Sequence, residues 1–549
     1  MSLTDPSGRQ VPGRRPVAIG LLLAAGLVLA VVGIFYIWNR TADRDGQPDG
    51  GPGKEDLLVR GQQLYAVHCL QCHGEKGDGN GPAARYLYPK PRNFGEGRFR
   101  LVTTTNSIPS DEDLLRVITR GMPGSAMFPF GHLSEGDRLA LVAQVRHLIQ
   151  AGTEELVARE SGGKADPAVV AELIAPGAPQ DIPKEWPVPG PASIARGAEL
   201  YRKTGCASCH GETGKGDGTQ EQFDNDGMPT RPRDFTRGIF KGGRDPRQLY
   251  ARISQGMAGT PMPGSSQVLK PAEICDVVNF VLSLSDPAAQ NKVEHKRTTL
   301  TAKRTAASLD GDISEDAWKA APTASIVVSP LWWRDYPEPD LQVQALHDGQ
   351  TLALRLRWND ATVNDSPIRP EDFEDMAAVQ LFKGDVEPFI GMGAKDHRVD
   401  MWLWRASWHN PSAQPPSLLD DYPFVSPNYG AILKKDDSGN GPPDFLTARA
   451  AGNLHTNPDR ERSASNLSAE GFGSTTFRPR TAQRVTASST RKEGGWSVIL
   501  KRPLAVGTED GIPLAAGEQY SIAFAIWDGA AGDRNGQKLI SIWHDLKIE

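Results

Sequence analysis

Apolar residues follow three patterns along this 549-residue chain. Val17 to Trp38 is a run of 22 residues without a charge, long enough as a helix to span a hydrocarbon layer of ~30 Å. Leu57, Leu58, Gly61, Leu64 and Tyr65 then recur at helical spacing, and a second helix is expected over Ser110 to Arg120. Ser134, with Asp137 three residues on, reads as the N-cap of a third helix carrying Leu139, Val142, Val145, Leu148 and Ile149, so this unit closes near Ala151. Gly197, Leu200 and Tyr201 repeat the first pattern, and Pro271 opens a helix through Leu284. Beyond about Thr305 the period changes to two. Val343, Ala345 and His347 precede an Asp348-Gly349 turn, and Leu352, Leu354, Leu356 and Trp358 follow it on one face, which predicts a hairpin. Further strand-like runs cover Ala377 to Phe382, Arg398 to Trp404, Val485 to Ser489, Trp496 to Leu500, Ser521 to Trp527 and Leu539 to Trp543, and together they predict a β-sandwich.

The expected architecture is multidomain: an N-terminal transmembrane helix, two all-α domains and a C-terminal all-β sandwich. Residues 1–16 form a cytoplasmic tail, 17–38 the membrane anchor and 39–54 a Gly/Pro/Asp-rich tether. The helical domains cover 55–152 and 191–288, with linkers at 153–190 and 289–305, and the sandwich covers 306–549. The first linker is rich in Pro, Gly, Ala and charge, with one short helix at Ala168 to Ile174. Arg9, Arg14 and Arg15 precede the apolar run and Tyr36 and Trp38 end it, so the positive-inside rule places the N-terminus in the cytoplasm and the remaining domains in the periplasm. A cleaved signal peptide is the competing reading. The run exceeds an ordinary h-region and no clear small-x-small site follows, which favours an uncleaved anchor.

The chemistry is concentrated in Cys69-Leu70-Gln71-Cys72-His73 and in Cys206-Ala207-Ser208-Cys209-His210. Two cysteines two residues apart with a histidine directly after them are the attachment pattern of a c-type haem: the thiols add to the porphyrin vinyl groups and the imidazole binds the iron. A glycine-rich run follows each motif, Gly74 to Gly81 and Gly211 to Gly218. A nucleotide loop should instead follow a strand and open a helix. Pro91-Arg92-Asn93-Phe94 and Pro232-Arg233-Asp234-Phe235 come next, then methionine segments ending in Met127 and Met262. His73 to Met127 is 54 residues and His210 to Met262 is 52, which marks an internal duplication.

The formal net charge of −6 leaves no basic excess for nucleic acid. Four of the five cysteines belong to the two motifs, and Cys275, within a helical pattern, reads as a small buried hydrophobe. Ten of the twelve tryptophans lie after residue 305, consistent with a different kind of domain there. No nucleophile–base pair or dedicated substrate site can be identified.

Each half resembles a class I cytochrome c. That resemblance implies covalent haem c on Cys69 and Cys72 with His73 and Met127 as axial ligands, and on Cys206 and Cys209 with His210 and Met262. Met122 and Met257, five residues earlier, are the alternatives, and Met127-Phe128-Pro129 departs from the usual Met-Pro. Leu309 to Trp318, Phe389-Ile390-Gly391-Met392-Gly393, Asp400 to Trp404 and Ala525 to Gly529 resemble the haem-binding domain of ethylbenzene dehydrogenase gamma subunits. Related subunits serve dimethyl sulfide dehydrogenase and the chlorate, selenate and nitrite-oxidising molybdenum enzymes. This resemblance implies one non-covalent haem b between Met392 and Lys538, and electron exchange with iron–sulfur and molybdopterin subunits. Met376, Met401, Lys395 and Lys501 remain alternatives, and His347, His397 and His409 offer another ligand set. The implied protein is a membrane-anchored multihaem electron-transfer subunit of a respiratory chain. A haem enzyme acting on a small inorganic substrate and a dihaem cytochrome with a carbohydrate- or ligand-binding sandwich are the alternatives.

Overall fold

The computed structural model describes residues 54–549 apart from 225–226, 335–339, 368, 410–462 and 493. The expected anchor at 17–38, with its tail and tether, lies outside the described residues. No helix among the described residues is long and apolar enough to cross a membrane.

Two helical domains come first, each built by a helix before the Cys-x-x-Cys-His motif crossing a helix that closes the domain. In the first, α1 (Lys54–His68) leads into the short α2 (Leu70–His73), followed by α3 (Asp111–Arg120) and α4 (Glu135–Ser161). Ser110 caps α3 in a reciprocal box with Asp113, and Ser134 accepts the Asp137 N–H at the start of α4. After α5 (Pro167–Ile174), the second domain repeats the plan with α6 (Pro191–Lys203), α7 (Cys206–His210), α8 (Pro246–Gln255) and α9 (Pro271–Ser283).

The crossings are close because a glycine sits at each. A Cβ on Gly61 would lie 2.1 Å from the Ala140 carbonyl oxygen, and one on Gly197 2.0 Å from that of Asp276. Gly152 acts in the same way, which corrects the expected boundary near Ala151. It packs against Gly95, where a Cβ would come within 2.4 Å of the Gly95 Cα, and α4 continues to Ser161 before Gly162 ends it at φ 65°. The stretch 153–190 therefore opens with two turns of helix.

The C-terminal region is sheet-rich. In chain order the described strands are β1 (Thr299–Arg304), β2 (Ala324–Ile326), β3 (Ser329–Pro330), β4 (Leu341–His347), β5 (Thr351–Asn359), β6 (Met376–Phe382) and β7 (Val399–Arg405). There follow β8 (Ser465–Ala469), β9 (Thr476–Phe477), β10 (Thr486–Lys492), β11 (Gly495–Pro503), β12 (Gln519–Trp527), β13 (Leu539–Ile540) and β14 (His544–Ile548). Their main order is β10-β11-β5-β4-β1-β14-β12-β6-β7-β8-β9. β1 lies in the stretch expected to be a linker and instead joins two groups of strands. Thr299–Ala302 pair in parallel with β14, and Lys303 and Arg304 pair in parallel with β4. Of the expected strand over Leu539 to Trp543 only β13 forms, and β14 starts one residue beyond it.

One core takes side chains from both groups: Leu352, Leu354, Leu356 and Trp358 of β5 meet Trp402 and Trp404 of β7. Trp404 makes edge contacts with Trp358 at 6.0 Å and with Trp496 at 4.9 Å, the spacing of favourable aromatic pairs. Four of the tryptophans that set this region apart in composition, Trp358, Trp402, Trp404 and Trp496, are thus part of its core. The opposite face of β12, β6 and β7 is in register as three rows, Ala523-Gln380-Met401, Ala525-Ala378-Leu403 and Trp527-Met376-Arg405.

Candidate functional site

α1 delivers Cys69 to the first site: the Cys69 N–H donates to the Tyr65 carbonyl at 2.9 Å, and the His73 N–H donates to the Cys69 carbonyl at 2.9 Å. The Tyr65 hydroxyl donates to the Gly74 carbonyl at 2.7 Å, which pins the turn after the histidine. The His73 Nδ1 lies 3.3 Å from the Arg92 carbonyl oxygen and its ring stacks on Phe94 at 4.6 Å. With Nδ1 so engaged, Nε2 is the nitrogen left to bind a metal, the arrangement that fixes ring and tautomer in ligating histidines. Burial lowers the His73 pKa to about 4, against the opposing pull of the Arg92 carbonyl, so the ring is neutral at pH 7.

The second site repeats this geometry. The Tyr201 hydroxyl donates to the Gly211 carbonyl at 2.8 Å, the His210 Nδ1 lies 3.4 Å from the Arg233 carbonyl oxygen, and its ring stacks on Phe235 at 4.4 Å. The methionine loops also match. The Met122 N–H donates to the Met127 carbonyl at 2.8 Å and the Met257 N–H to the Met262 carbonyl at 3.1 Å. The Ser125 hydroxyl donates to Met122 and the Thr260 hydroxyl to Met257, inside the respective turns. Met262 packs against the core of its domain. Met122 and Met127 both line the first cavity. The Tyr hydroxyl, the Arg carbonyl and the stacked Phe were missed in sequence, although the Pro-Arg-x-Phe repeated after each motif was a signal for the last two.

The surroundings of the two sites differ. Cys69, Cys72, His73 and Met127 line a cavity of about 800 Å³ that continues to the face of β12, β6 and β7 and reaches Met392 and Lys538. That volume is of the size cofactor pockets take. On that face Ala378, Ala523 and Ala525 present small apolar side chains to the cavity. Met392 adopts φ 78° in the loop after β6, a conformation that costs a non-glycine residue ~1–2 kcal/mol and is found at ligand clamps. Its carbonyl accepts the Gly471 N–H at 2.8 Å, and its sulfur lies 3.9 Å from the Thr475 hydroxyl. The Lys538 Nζ lies 4.7 Å from the Trp527 ring centre, and burial lowers its pKa to about 8, which favours the neutral amine a ligand needs. Met376 and Met401 line the same cavity, whereas Lys395, Lys501, His347, His397 and His409 do not. The cavity, its free imidazole nitrogen and its paired thiols fit a haem at the first motif.

Between the two parts of the cavity lies an apolar wall. Cys72, Ala83, Leu87, Ala126 and Phe128 of the first domain pack there with Leu331, Phe389 and Ile540 of the sheet region. The Tyr88 N–H donates to the Leu331 carbonyl at 2.9 Å, and the Trp333 N–H donates to the Tyr88 carbonyl at 2.8 Å.

Comparison with known proteins agrees with this division. The family model described as cytochrome C oxidase, cbb3-type, subunit III matches residues 56–144, and that described as cytochrome c matches 194–285. The model described as ethylbenzene dehydrogenase matches 315–539. The chain joins two cytochrome c domains to an ethylbenzene dehydrogenase-type domain. Chlorate reductase subunit gamma of Ideonella dechloratans is 26% identical over 239 residues, 42% of this chain and 77% of that subunit. Dimethylsulfide dehydrogenase subunit gamma of Rhodovulum sulfidophilum is 27% identical over 220 residues, 39% of this chain and 62% of that subunit. A cbb3-type cytochrome c oxidase subunit CcoP of Helicobacter pylori is 25% identical over 192 residues, 35% of this chain and 50% of that subunit. The chain thus spans half to three quarters of these relatives. The cytochrome c domains are haem-binding domains, and Cys69 to His73 and Cys206 to His210 fall inside the matched ranges.

Proposed function

We propose that the chain is a membrane-anchored, periplasmic electron-transfer subunit that carries two covalent haem c groups and one haem b and connects a molybdopterin oxidoreductase to the respiratory chain. The observation that carries this reading is the single cavity running from Cys69, Cys72 and His73 to Met392 and Lys538. Haem iron, when bound, supplies one-electron redox chemistry. The protein contributes its attachment, orientation and dry surroundings. Cys69 and Cys72 would hold the first haem together with His73 and Met127, and Cys206 and Cys209 the second together with His210 and Met262. A histidine and a methionine at each haem would leave no position for a substrate, which favours electron transfer over catalysis. In the β-sandwich, Met392 and Lys538 would hold the haem b, the lysine giving up its proton on ligation, which its lowered pKa makes easier. A gamma-subunit partner set, an iron–sulfur protein next to a molybdopterin enzyme, follows from the likeness to chlorate reductase and dimethylsulfide dehydrogenase subunits. The apolar run 17–38 is the anchor.

A carbohydrate-binding sandwich needs exposed tryptophan faces. Here Trp318, Trp358, Trp402, Trp404, Trp408 and Trp496 are buried and Trp332 and Trp333 half-buried, so no tryptophan among the described residues of this region presents an exposed face, which supports the haem reading. The test is a pyridine haemochrome of the full chain after acid–acetone extraction. Two haems per chain stay with the protein and one is extracted. Extraction of none refutes the haem b assignment.

A further inference from the structure

Among the described residues, the cations lining the first cavity are engaged, with one exception. Lys90 donates to the Ala84 carbonyl at 2.9 Å, Arg92 pairs with Glu96 at 2.7 Å, and Arg297 pairs with Glu387 and Asp545 at 2.8 and 2.7 Å. Arg405 pairs with Glu374, and Lys538 lies over Trp527. Lys241 also lines this cavity, although it belongs to the second cytochrome domain. No carboxylate among the described residues pairs with it, and its charged neighbours are the guanidiniums of Arg233 and Arg100.

Lys241 is not there by accident of a loose loop. Ile239 and Phe240 before it are buried, the Phe240 N–H donates to the Gln290 side chain at 3.0 Å, and the Lys241 carbonyl accepts from Arg120 of the first domain at 3.4 Å. Arg120 is in turn paired with Glu294 at 2.6 Å. Arg100 lies eight residues after Arg92, and Lys241 eight after Arg233. The two cations thus occupy equivalent places in the duplicated fold, and both face the first cavity. Arg100 is also held 3.8 Å from Asp224 of the second domain. The docking is reciprocal: a Cβ on Gly124 in the first methionine loop would lie 2.9 Å from the Arg233 guanidinium, and one on Gly259 in the second 2.9 Å from that of Arg92.

A half-buried ammonium among guanidiniums is unfavourable without an anion. Burial and these neighbours lower the Lys241 pKa to about 7. The anion that a cavity with two thiols and an axial histidine brings with it is the pair of carboxylates on the porphyrin. We propose that Lys241, supplied by the second cytochrome domain, binds a propionate carboxylate of the haem attached at Cys69 and Cys72, with Arg100 beside it. The first haem site is then completed by both domains. This rests on the haem reading of the first motif.

The experiment is redox potentiometry of the full chain carrying Lys241→Met, with Lys241→Arg as the charge-preserving control. The first-site component is the one absent from the Cys69→Ala/Cys72→Ala protein, and the covalent haem count of that variant tests the underlying reading separately. Removing the cation favours the oxidised haem, so the first-site midpoint falls by about 59 mV, a tenfold change in its one-electron equilibrium. The second-site midpoint stays in place, and Lys241→Arg restores most of the loss. If Lys241→Met fails to mature, Lys241→Gln is read in the same way. A midpoint that does not move, an equal shift at the second site, or an equal loss with Lys241→Arg overturns the assignment.

Discussion

The two cytochrome domains share a ligand geometry to within a few tenths of an ångström and differ in what surrounds it. Tyr65 and Tyr201, Phe94 and Phe235, and the Arg92 and Arg233 carbonyls make the same contacts. Yet Cys72 packs into an apolar wall shared with the sheet region, whereas the Cys209 sulfur lies 3.4 Å from the Gln222 amide and 3.6 Å from the Gln220 side chain. The helix crossings differ too. Gly61 packs against Ala140, and Gly197 against Asp276, which is 5% exposed. Local hydrogen bonds thus fix how a haem is held, while the tertiary neighbours fix what it can communicate with. The first site is internal to the assembly of domains, and the second faces polar side chains.

The strongest way to break this contrast is to remove attachment at each site in turn. Cys69→Ala/Cys72→Ala halves the covalent haem and also reduces the extractable haem, because both parts of one cavity lose a wall. Cys206→Ala/Cys209→Ala halves the covalent haem and leaves the extractable fraction unchanged. Equal behaviour of the two variants, read by haemochrome before and after extraction, would abolish the asymmetry. Next comes Ala378→Trp, which fills the floor of the sheet part of the cavity. The extractable haem is lost while both covalent haems remain, and retention of the extractable haem would show that the alanine floor is not its seat.

A smaller effect tests what the domains share. Gly61→Ala and Gly197→Ala each drive a methyl against a backbone carbonyl that cannot rotate away. Each costs about 2–3 kcal/mol, the upper range for overpacking, visible as a lower denaturation midpoint. A large difference between the two would mean that the crossings are not equivalent.

Much of this was legible in the chain. Spacing alone located both attachment motifs, the helix at 110–120, the capping Ser134, the proline-opened α9 and most strands, because these depend on local periodicity and hydrogen bonding. What depends on docking was not. Gly152 looks like a helix terminator and is a contact glycine inside α4, since a glycine's role is decided by what lies opposite. β1 has too few alternating residues to stand out from a linker, and its pairing in parallel with β4 and β14 comes from opposite ends of the domain. The alternation on β6 and β12 was visible, but that their outer alanines floor a cavity reaching Cys72 follows only from the contact between domains. Lys241 had a signal in its equal offset from the repeated Pro-Arg-x-Phe, which nothing in one sequence connects to the other domain's site.

The smallest expected effect comes from Asp276, the residue with no counterpart at Ala140. Burial alone would raise its pKa, but hydrogen bonds from Arg196 at 2.7 Å and Ser193 at 2.5 Å, with the guanidinium charge, outweigh that and hold it below the ordinary value. The folded pKa is lower than the unfolded one, so the ionised carboxylate stabilises the second domain above about pH 4. That contribution disappears as the pH falls through the lowered folded value. The Arg196 side chain is 57% exposed, so solvent screens much of the pair's attraction. Asp276→Asn therefore costs only about 1 kcal/mol at neutral pH. Its effect shrinks toward zero in acid, because the wild-type carboxylate is then protonated as well. Hydrogen exchange on α6 and α9 against α1 and α4 measures this directly. Falling pH weakens protection in the second pair first, and identical acid profiles for the two pairs would show that the buried carboxylate does not distinguish the domains.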